Sequence, residues 1–537
     1  MVCFPIGIIL HLSLFRHGEW DLYTTKLVVA LAATQALLTY YLMHYQNDGP
    51  VLPLQALTAA SKFVFTLMTG VFSSILVYRM AFHRLNTFPG PFVARLSNLF
   101  GTSLWLKNYQ VYNEIQKLHN KYGDYVRVGP SELSIADPKA FRMIHSNNSP
   151  CVKGPWYNVL QPMVSLQMIR NKQEHSRRRK IWDKALNTKA LRDYEPRVTL
   201  YTSQLLSQVE KMEGKPFNVT KWFNFYTFDI MGDLAFGRSF DMLKSAVTHY
   251  YMELAHANML LIGAFSRLVW LFPLFKSIPG LNYAHIQFQQ WLTAQVEQRR
   301  KNKPEVRDVF SWILDDYESI NHPTKQDLAD LHGDANLIVV AGSDTTAASL
   351  TALFYQLALH PDVCKTLQDE IDGFKGSNDA SDHSSLAKLK FLQACIDESL
   401  RLSPAVPSGV QRMTPPKGLQ VGDTFIPGNT IIQLPSYTMY RDDRAFAQPN
   451  MFVPERWTTK PDLVKEPSVY APFSTGRYSC VGKQLGLMEM RSVTFELLSR
   501  YDVSFVRDYS PKSFVDGMRD YFTLALPDLE LVFTSRK

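Results

Sequence analysis

Three apolar stretches lie near the start of the chain, at residues 4–15, 27–45 and 63–82. The last two each approach the roughly 20 residues that a helix needs to cross a bilayer, whereas the first is shorter and contains His11. A cleavable signal peptide is the competing interpretation, but no positive charge precedes the first stretch and two more apolar stretches follow it. The pattern therefore predicts a membrane anchor over residues 1–88, with spans at about 27–45 and 63–82 and a third candidate span at 4–15.

Basic residues are distributed unevenly around these stretches. Residues 46–61 contain neither Lys nor Arg, whereas Arg79, His83 and Arg84 lie at the end of the third stretch. The positive-inside rule then predicts that everything after the last span is cytoplasmic. If all three stretches cross the membrane, the loop at 16–26 is cytoplasmic as well and the N-terminus is lumenal.

From residue 89 onward the pattern becomes that of a globular protein. Helical periodicity predicts helices at 109–122, 173–187, 191–214, 219–237, 325–359 and 386–402, and short alternating runs predict strands at 124–136, 421–434 and 521–533. Residues 259–275 are nearly all apolar but include Arg267 and Pro273, so we expect either a surface element that dips into the bilayer interface or plain core. The expected fold is mainly α with a small β region, as one domain over residues 89–537.

Composition narrows the class of protein. Of the 537 residues, 46% are hydrophobic and 20% are charged, which is compatible with a packed core and not with global disorder. The five cysteines are scattered, without the close pairs of a zinc module or a disulfide framework. The net charge of +8 comes without a long basic block, so we expect an anionic membrane surface and an acidic protein partner rather than nucleic acid.

The candidate chemistry is concentrated at Cys480, in the segment PFSTGRYSCVGKQLGLMEMR at residues 472–491. Cys480 directly precedes a helix-forming run, whose free backbone N–H groups would stabilise a thiolate. We expect Gly476 and Gly482 to let the backbone turn tightly and approach a flat cofactor closely. Taken alone, Cys480 is also compatible with an ordinary buried cysteine.

Three further motifs precede this loop. They are AGSDTT at residues 341–346, Glu398-Ser-Leu-Arg401, and Pro454-Glu-Arg-Trp457, while Phe88-Pro-Gly-Pro91 forms a stiff linker between anchor and domain. In this order along the chain, the motifs resemble those of the cytochrome P450 family, from roughly residue 89 to the C-terminus. The resemblance implies one large haem domain behind N-terminal transmembrane helices.

The resemblance also implies a set of site residues. Cys480 would bind the iron of heme b as a thiolate, and Asp344 and Thr345 would relay protons for oxygen activation. Residues at positions that contact the haem in this family are His175, Arg179, Arg412, Phe473, Gly476, Tyr478 and Gly482. Glu398 and Arg401 would join Arg456 in a buried structural network rather than take part in catalysis.

One departure from the family pattern affects the cofactor site. The usual loop reads F-x-x-G-x-R-x-C-x-G, but Tyr478 stands here two places before Cys480 and Arg477 precedes it. We therefore expect His175, Arg179 and Arg412 to hold the propionates with help from Tyr478, and Arg477 to be turned away. On the same predicted helix as His175, we expect Arg177, Arg178 and Lys180 to form either a solvated face or a docking patch for a reductase.

The sequence thus predicts a monooxygenase that inserts one atom of O2 into a small lipophilic substrate. Because the chain has no nicotinamide or flavin fingerprint, the electrons would come from a separate NADPH-cytochrome P450 reductase. We expect an endoplasmic reticulum membrane and, since several spans are typical of some fungal members, secondary-metabolite biosynthesis. Two alternatives remain open: a haem-thiolate isomerase or dehydratase without oxygen activation, and a non-enzymatic membrane haem-binding protein.

Overall fold

The structure, a computed structural model, describes residues 3–45, 52–375 and 382–536. Part of the segment at 46–61, which contains neither Lys nor Arg, lies outside the described residues. The α-helices, numbered in chain order, are α1 Cys3–Leu10, α2 Thr24–His44, α3 Pro53–Val77, α4 Phe92–Leu96, α5 Leu99–Leu106, α6 Val111–Tyr122, α7 Pro138–His145, α8 Lys172–Ala185, α9 Thr188–Lys211, α10 Val219–Phe236, α11 Met242–Ser245, α12 Tyr250–Ala264, α13 Leu271–Ser277, α14 Tyr283–Lys301, α15 Val309–Glu318, α16 Lys325–Leu359, α17 Pro361–Lys375, α18 His383–Leu386, α19 Lys390–Leu402, α20 Ser436–Met439, α21 Lys483–Leu498 and α22 Pro511–Gly517.

The strands are few and short. They are β1 Tyr125–Gly129, β2 Glu132–Ile135, β3 Val152–Lys153, β4 Pro216–Asn218, β5 Gln411–Met413, β6 Leu419–Val421, β7 Thr424–Ile426, β8 Ile431–Gln433, β9 Tyr501–Phe505, β10 Arg519–Tyr521, β11 Thr523–Ala525 and β12 Glu530–Ser535. The largest sheet has the order β1-β2-β8-β5-β3, and a second has the order β4-β12-β9. The expectation of a mainly α fold with a small β region is confirmed.

Helices α2 and α3 are long and apolar enough to cross a membrane, over Asp21–His44 and Pro53–Phe82. The first apolar helix covers only Cys3–Phe15, which at about 1.5 Å per residue is well short of a bilayer's hydrocarbon core. A Cβ at Gly7 would lie 2.2 Å from the Leu67 carbonyl oxygen, so this glycine allows α1 to touch the backbone of α3. The first helix therefore lies beside α3 as a short companion, rather than as a full span by length.

The segment between α1 and α2 contacts the globular part of the chain. Glu19 forms a bidentate ion pair with Arg170, at 2.5 and 2.7 Å, and the Thr25 hydroxyl lies 3.4 Å from that of Ser277 at the end of α13. The loop at 16–26 and the domain thus lie on the same side of α2 and α3.

Helix α16 is the central element of the domain, and its predicted bounds of 325–359 are confirmed. It is as apolar as a membrane span, but it is mostly buried and packs chiefly against α10. Its N-terminus is closed by a capping box between Thr324 and Asp327. Because α16 is enclosed along most of its length, side chains at its middle line an internal cavity.

The apolar stretch at 259–275 does not form one element. Helix α12 ends at Ala264 and α13 begins at Leu271, and between them Arg267 turns inward to pair with Glu132 of β2. Leu261 and Trp270 are exposed, whereas Phe272 is buried. The stretch is therefore partly core and partly exposed, and its contact with the bilayer interface stays a prediction.

The predicted structural network around Glu398 is confirmed. Arg401 donates two hydrogen bonds to Glu398, each at 2.9 Å, and Arg456 donates another at 2.9 Å. All three side chains are completely buried. The network joins α19 to the segment that leads into the Cys480 loop.

The prediction that Arg177, Arg178 and Lys180 share an exposed face of α8 is wrong for Arg178. Arg178 is buried and pairs with Asp330 and Asp334 of α16. Arg177 is exposed but pairs with Glu174 and Asp316. These carboxylates partly neutralise the positive charge that it would offer to a docking partner.

Candidate active site

A cavity of about 660 Å³ lies between α16 and the Cys480 loop. Its remaining walls come from residues 153–168, α8, α12–α14 and the turn between β10 and β11. Its lining is mostly apolar and includes Trp156, Ile262, Phe272 and Phe522. Phe522 stacks on Trp156 with ring centroids 4.4 Å apart. A flat apolar molecule would fit between these walls.

Cys480 lines the cavity at the N-terminus of α21. Its backbone N–H donates to the Phe473 carbonyl at 2.8 Å, which fixes the loop. Burial raises the pKa of the Cys480 thiol, while backbone N–H groups of Gly482 and Lys483 and the charge of Arg179 lower it. A metal cation at the thiol would favour the thiolate further.

The two loop glycines have different roles. Gly476 has φ of +69°, and a Cβ there would lie 2.3 Å from the His145 carbonyl oxygen. Its close approach is thus to the chain's own backbone, which corrects the expectation that it faces a cofactor. At Gly482 a Cβ would meet only the Cys480 sulfur, at 3.9 Å, so this residue does keep the cavity side open.

Opposite the loop, the middle of α16 carries the predicted acid and alcohol. Thr345 lines the cavity, and its hydroxyl donates to the Ala341 carbonyl at 2.8 Å. The neighbouring Asp344 carboxylate faces α12 instead, where it accepts a hydrogen bond from His256 at 3.1 Å. Gly342 lines the cavity as well, but a Cβ there would lie 2.5 Å from a side-chain carbon of Met231, so the missing side chain makes room for Met231.

One edge of the cavity is strongly basic. His175, Arg179, Arg412 and Tyr478 all line it, as predicted, together with Lys153, which the sequence did not indicate. The Lys153 ammonium lies 4.8 Å from the centroid of the Tyr478 ring and donates to the carbonyls of Leu166 and Gln167. Lys153 and Arg412 are both buried, and neither has a carboxylate partner among the residues that the structure describes.

Arg477 does not share this edge. Its guanidinium donates to the Ser176 hydroxyl at 2.9 Å, and neither residue lines the cavity. Arg179 does reach the loop, donating to the Ser479 carbonyl at 2.6 Å. In this structure the displaced loop arginine is thus turned away from the cavity.

Several polar atoms at this edge have no partner among the described residues, which tests whether an anionic cofactor fits. These buried atoms are His145 Nδ1, His175 Nδ1, Arg412 Nε and the Tyr478 hydroxyl. Burial and neighbouring cations lower the pKa of His175 to about 3 and that of Lys153 well below its usual value. Buried charges of one sign are costly without a counter-charge, so the edge fits a ligand that carries carboxylates.

A thiol facing a mostly apolar cavity, with cations for carboxylates at one edge, matches a haem site. The family model for cytochrome P450 matches residues 91–532. The chain belongs to the cytochrome P450 family. It is 53% identical to a cytochrome P450 monooxygenase, FCK2, of Fusarium pseudograminearum, over 99% of this chain and 97% of the relative. It is 37% identical to tryprostatin B 6-hydroxylase of Aspergillus fumigatus, over 99% of this chain and 95% of that one.

These relationships establish this cytochrome P450 as a haem-dependent monooxygenase, as the sequence predicted. Three residues of its site escaped sequence reasoning: His145, Lys153 and His256. Lys153 was the easiest of the three to find from the sequence, because a lysine among Val152, Pro155 and Trp156 interrupts an otherwise apolar loop. His256 becomes relevant only because α12 crosses α16, which no local pattern reveals.

Proposed function

We propose that this cytochrome P450 hydroxylates a small, largely apolar molecule, with Cys480 as the proximal iron ligand. The observation that carries the proposal is the position of Cys480: its thiol opens into the same cavity that Thr345 lines from α16. Haem, when bound, supplies the oxygen chemistry, which a thiolate ligand favours by donating electron density to iron.

The residues that would hold the haem propionates form the basic edge of the cavity. Arg412 and Lys153 supply buried positive charge at this edge. His175 and Arg179, one turn apart on α8, line the same edge. Tyr478 offers a neutral O–H without a protein partner. Charge-assisted hydrogen bonds from this set would orient the macrocycle over Cys480.

Thr345 and Asp344 are proposed to handle protons. Thr345 lines the cavity from α16, together with Thr346 and Ser349, and its hydroxyl can hold a proton beside the reacting atoms. Asp344 is adjacent in sequence but turned toward α12, and it would pass further protons to that hydroxyl. Neither residue performs the oxidation.

The substrate would lie on the apolar side of the cavity, against Trp156, Phe272 and Phe522. Polar groups there are few, and include Asn258 and Asn336. This lining favours a lipophilic molecule with a planar portion and one or two hydrogen-bonding groups. A hydroxylase among the relatives supports the reaction type, and fungal relatives support a role in secondary metabolism.

Two features of the sequence indicate the partners: it has no nicotinamide or flavin fingerprint, and its N-terminal part contains long apolar helices. Electrons would come from a separate NADPH-cytochrome P450 reductase that shares the membrane. Helices α2 and α3 would anchor the enzyme in the endoplasmic reticulum membrane, with residues 89–537 forming the cytoplasmic haem domain behind an anchor at residues 1–88.

Replacing Cys480 tests the central assignment. We expect Cys480→Ala to abolish the thiolate-type absorption of the reduced, CO-bound protein, because no other cysteine lies at the cavity among the described residues. Matched controls are Cys151→Ala, Cys364→Ala and Cys395→Ala, which should keep that spectrum. If the spectrum persists in Cys480→Ala, the ligand assignment is wrong.

A further inference from the structure

The Asp344 carboxylate has a single polar side-chain contact in the described part of the chain. It accepts a hydrogen bond from Nε2 of His256 at 3.1 Å, across the interface between α16 and α12. Only 9% of the Asp344 side chain is exposed, whereas 43% of His256 is exposed. The imidazole therefore bridges from solvent to a carboxylate that solvent itself hardly reaches.

We propose that His256 passes protons from solvent to Asp344, and so begins the route that ends at Thr345. This inference rests on the proposed function of Asp344 and Thr345 and adds the residue that supplies them. A proton taken up at Nδ1 from water is balanced by release of the Nε2 proton to the carboxylate. The carboxyl group then gives its proton to the Thr345 oxygen and returns to its ionised form, as that hydroxyl releases its own proton into the cavity.

The residue type supports this role. A lysine or arginine at this position would stay charged and only pair with the carboxylate, but a histidine exchanges protons near neutral pH. The Asp344 carboxylate raises the pKa of His256, against the effect of its partial burial. Of the neighbouring groups, α10 contributes the uncharged Phe228 ring, and the Tyr251 hydroxyl donates to Asn336. On α12 itself, Glu253 lies three residues earlier.

A purely structural role for His256 is the alternative, in which it only ties α12 to α16. The variant His256→Gln separates the two, because a glutamine amide can still donate to Asp344 but does not titrate. His322→Gln is a matched control in an exposed loop between α15 and α16.

The first measurement is the pKa of His256, from the rate of C2-hydrogen exchange followed by mass spectrometry. We expect a pKa above the ordinary 6.5 in the parent and a lower pKa in Asp344→Asn. An unchanged pKa in Asp344→Asn would show that the two groups are not coupled and would overturn the inference.

The second measurement is NADPH oxidation with purified reductase and O2, without an organic substrate, in H2O and in D2O. We expect His256→Gln to slow the reaction on the order of 10-fold with a larger solvent isotope effect, since removal of a proton-transfer group typically costs about 10²–10⁴-fold and water can substitute in part. In the parent, the rate should fall as pH rises through the pKa of His256, because the imidazolium is then lost. That dependence should be absent in His256→Gln.

The outcomes distinguish the inference from the function on which it rests. If Asp344→Asn is slowed but His256→Gln behaves like His322→Gln, protons reach Asp344 by another route and the inference fails alone. If neither variant is slowed, the proposed relay fails as well. Haem content and the CO spectrum, measured for every variant, identify any loss that arises from misfolding.

Discussion

Lys153 and Arg412 lie directly opposite each other on β3 and β5, so that two buried cations are cross-strand neighbours. Like charges in such a pair destabilise a sheet unless an anion lies between or beside them. Each cation also lies 4.8 Å from the centroid of the Tyr478 ring. The face of this ring attracts a cation only weakly and does not replace an anion. The arrangement favours an anionic ligand at this edge of the cavity.

The first prediction concerns retention of haem. Lys153→Met and Arg412→Ala should each lose haem about 10- to 100-fold faster than the parent, since a hydrogen bond to a charged group contributes about 1.5–3 kcal/mol. Haem per protein, measured by absorbance after gel filtration, tests this.

Arg477→Ala is the matched control for haem retention. It removes a charge of the same kind from the same loop, but its guanidinium contacts Ser176 outside the cavity. We expect it to keep its haem. If it is instead the most depleted variant, the loop arginine contacts a propionate in the loaded enzyme and the assignment of this edge is wrong.

The second prediction concerns Thr345, whose hydroxyl faces the cavity. Thr345→Ala should still bind haem and consume NADPH, but it should release more of the reducing equivalents as hydrogen peroxide. The reason is that a proton no longer reaches the reacting atoms from α16. Peroxide formed per NADPH is the measurement. Thr351→Ala is the control on the same helix, because its hydroxyl also donates to the carbonyl four residues earlier but the residue does not line the cavity. A ratio equal to that of the parent would contradict the role.

Sequence reasoning succeeded where local pattern and ordered motifs decide the structure. The bounds of α16 follow from a continuous periodicity that starts at the Thr324 cap. Glu398, Arg401 and Arg456 were placed together by their motifs, and the structure joins them in one network. Such features depend on residue types at fixed spacing, which the sequence displays directly.

It failed where two distant elements meet. Gly476 was expected to approach a cofactor, but the backbone at His145 occupies the space beside it. Arg178 was expected at the surface because its neighbours are basic, yet the carboxylates of α16 draw it inside. In each case the deciding contact comes from an element far away in sequence, and its position was not predicted.

The third prediction concerns stability. Glu398→Gln leaves Arg401 and Arg456 as buried guanidinium groups without their common carboxylate. Breaking a buried ion pair at one partner typically costs about 3–5 kcal/mol, so the midpoint of thermal unfolding should fall by several degrees. Glu455, which precedes Arg456 in sequence, is more exposed than Glu398, so Glu455→Gln should change the unfolding midpoint little. Equal stability of the two variants would show that the network contributes specificity rather than stability.

The last prediction concerns the side of the membrane on which the haem domain lies. Two acceptor sequons occur in it, at Asn147-Asn-Ser149 and Asn218-Val-Thr220. Asn218 already caps α10 by accepting from the Lys221 N–H, so its side chain is poorly available in any compartment. Asn147 is exposed and therefore reports on topology.

Glu19 and Arg170 tie the loop at 16–26 to the haem domain, so one orientation applies to both. Charge around α3 predicts that this side is cytoplasmic, because Arg79 and Arg84 follow the span. Expressed in a eukaryotic host, the protein should carry no glycan at Asn147, and glycosidase should leave its mass unchanged. As a positive control, a sequon engineered next to His44, at the opposite end of α2, should be glycosylated. A glycosidase-sensitive mass that disappears in Asn147→Gln would place the haem domain in the lumen and reverse the orientation.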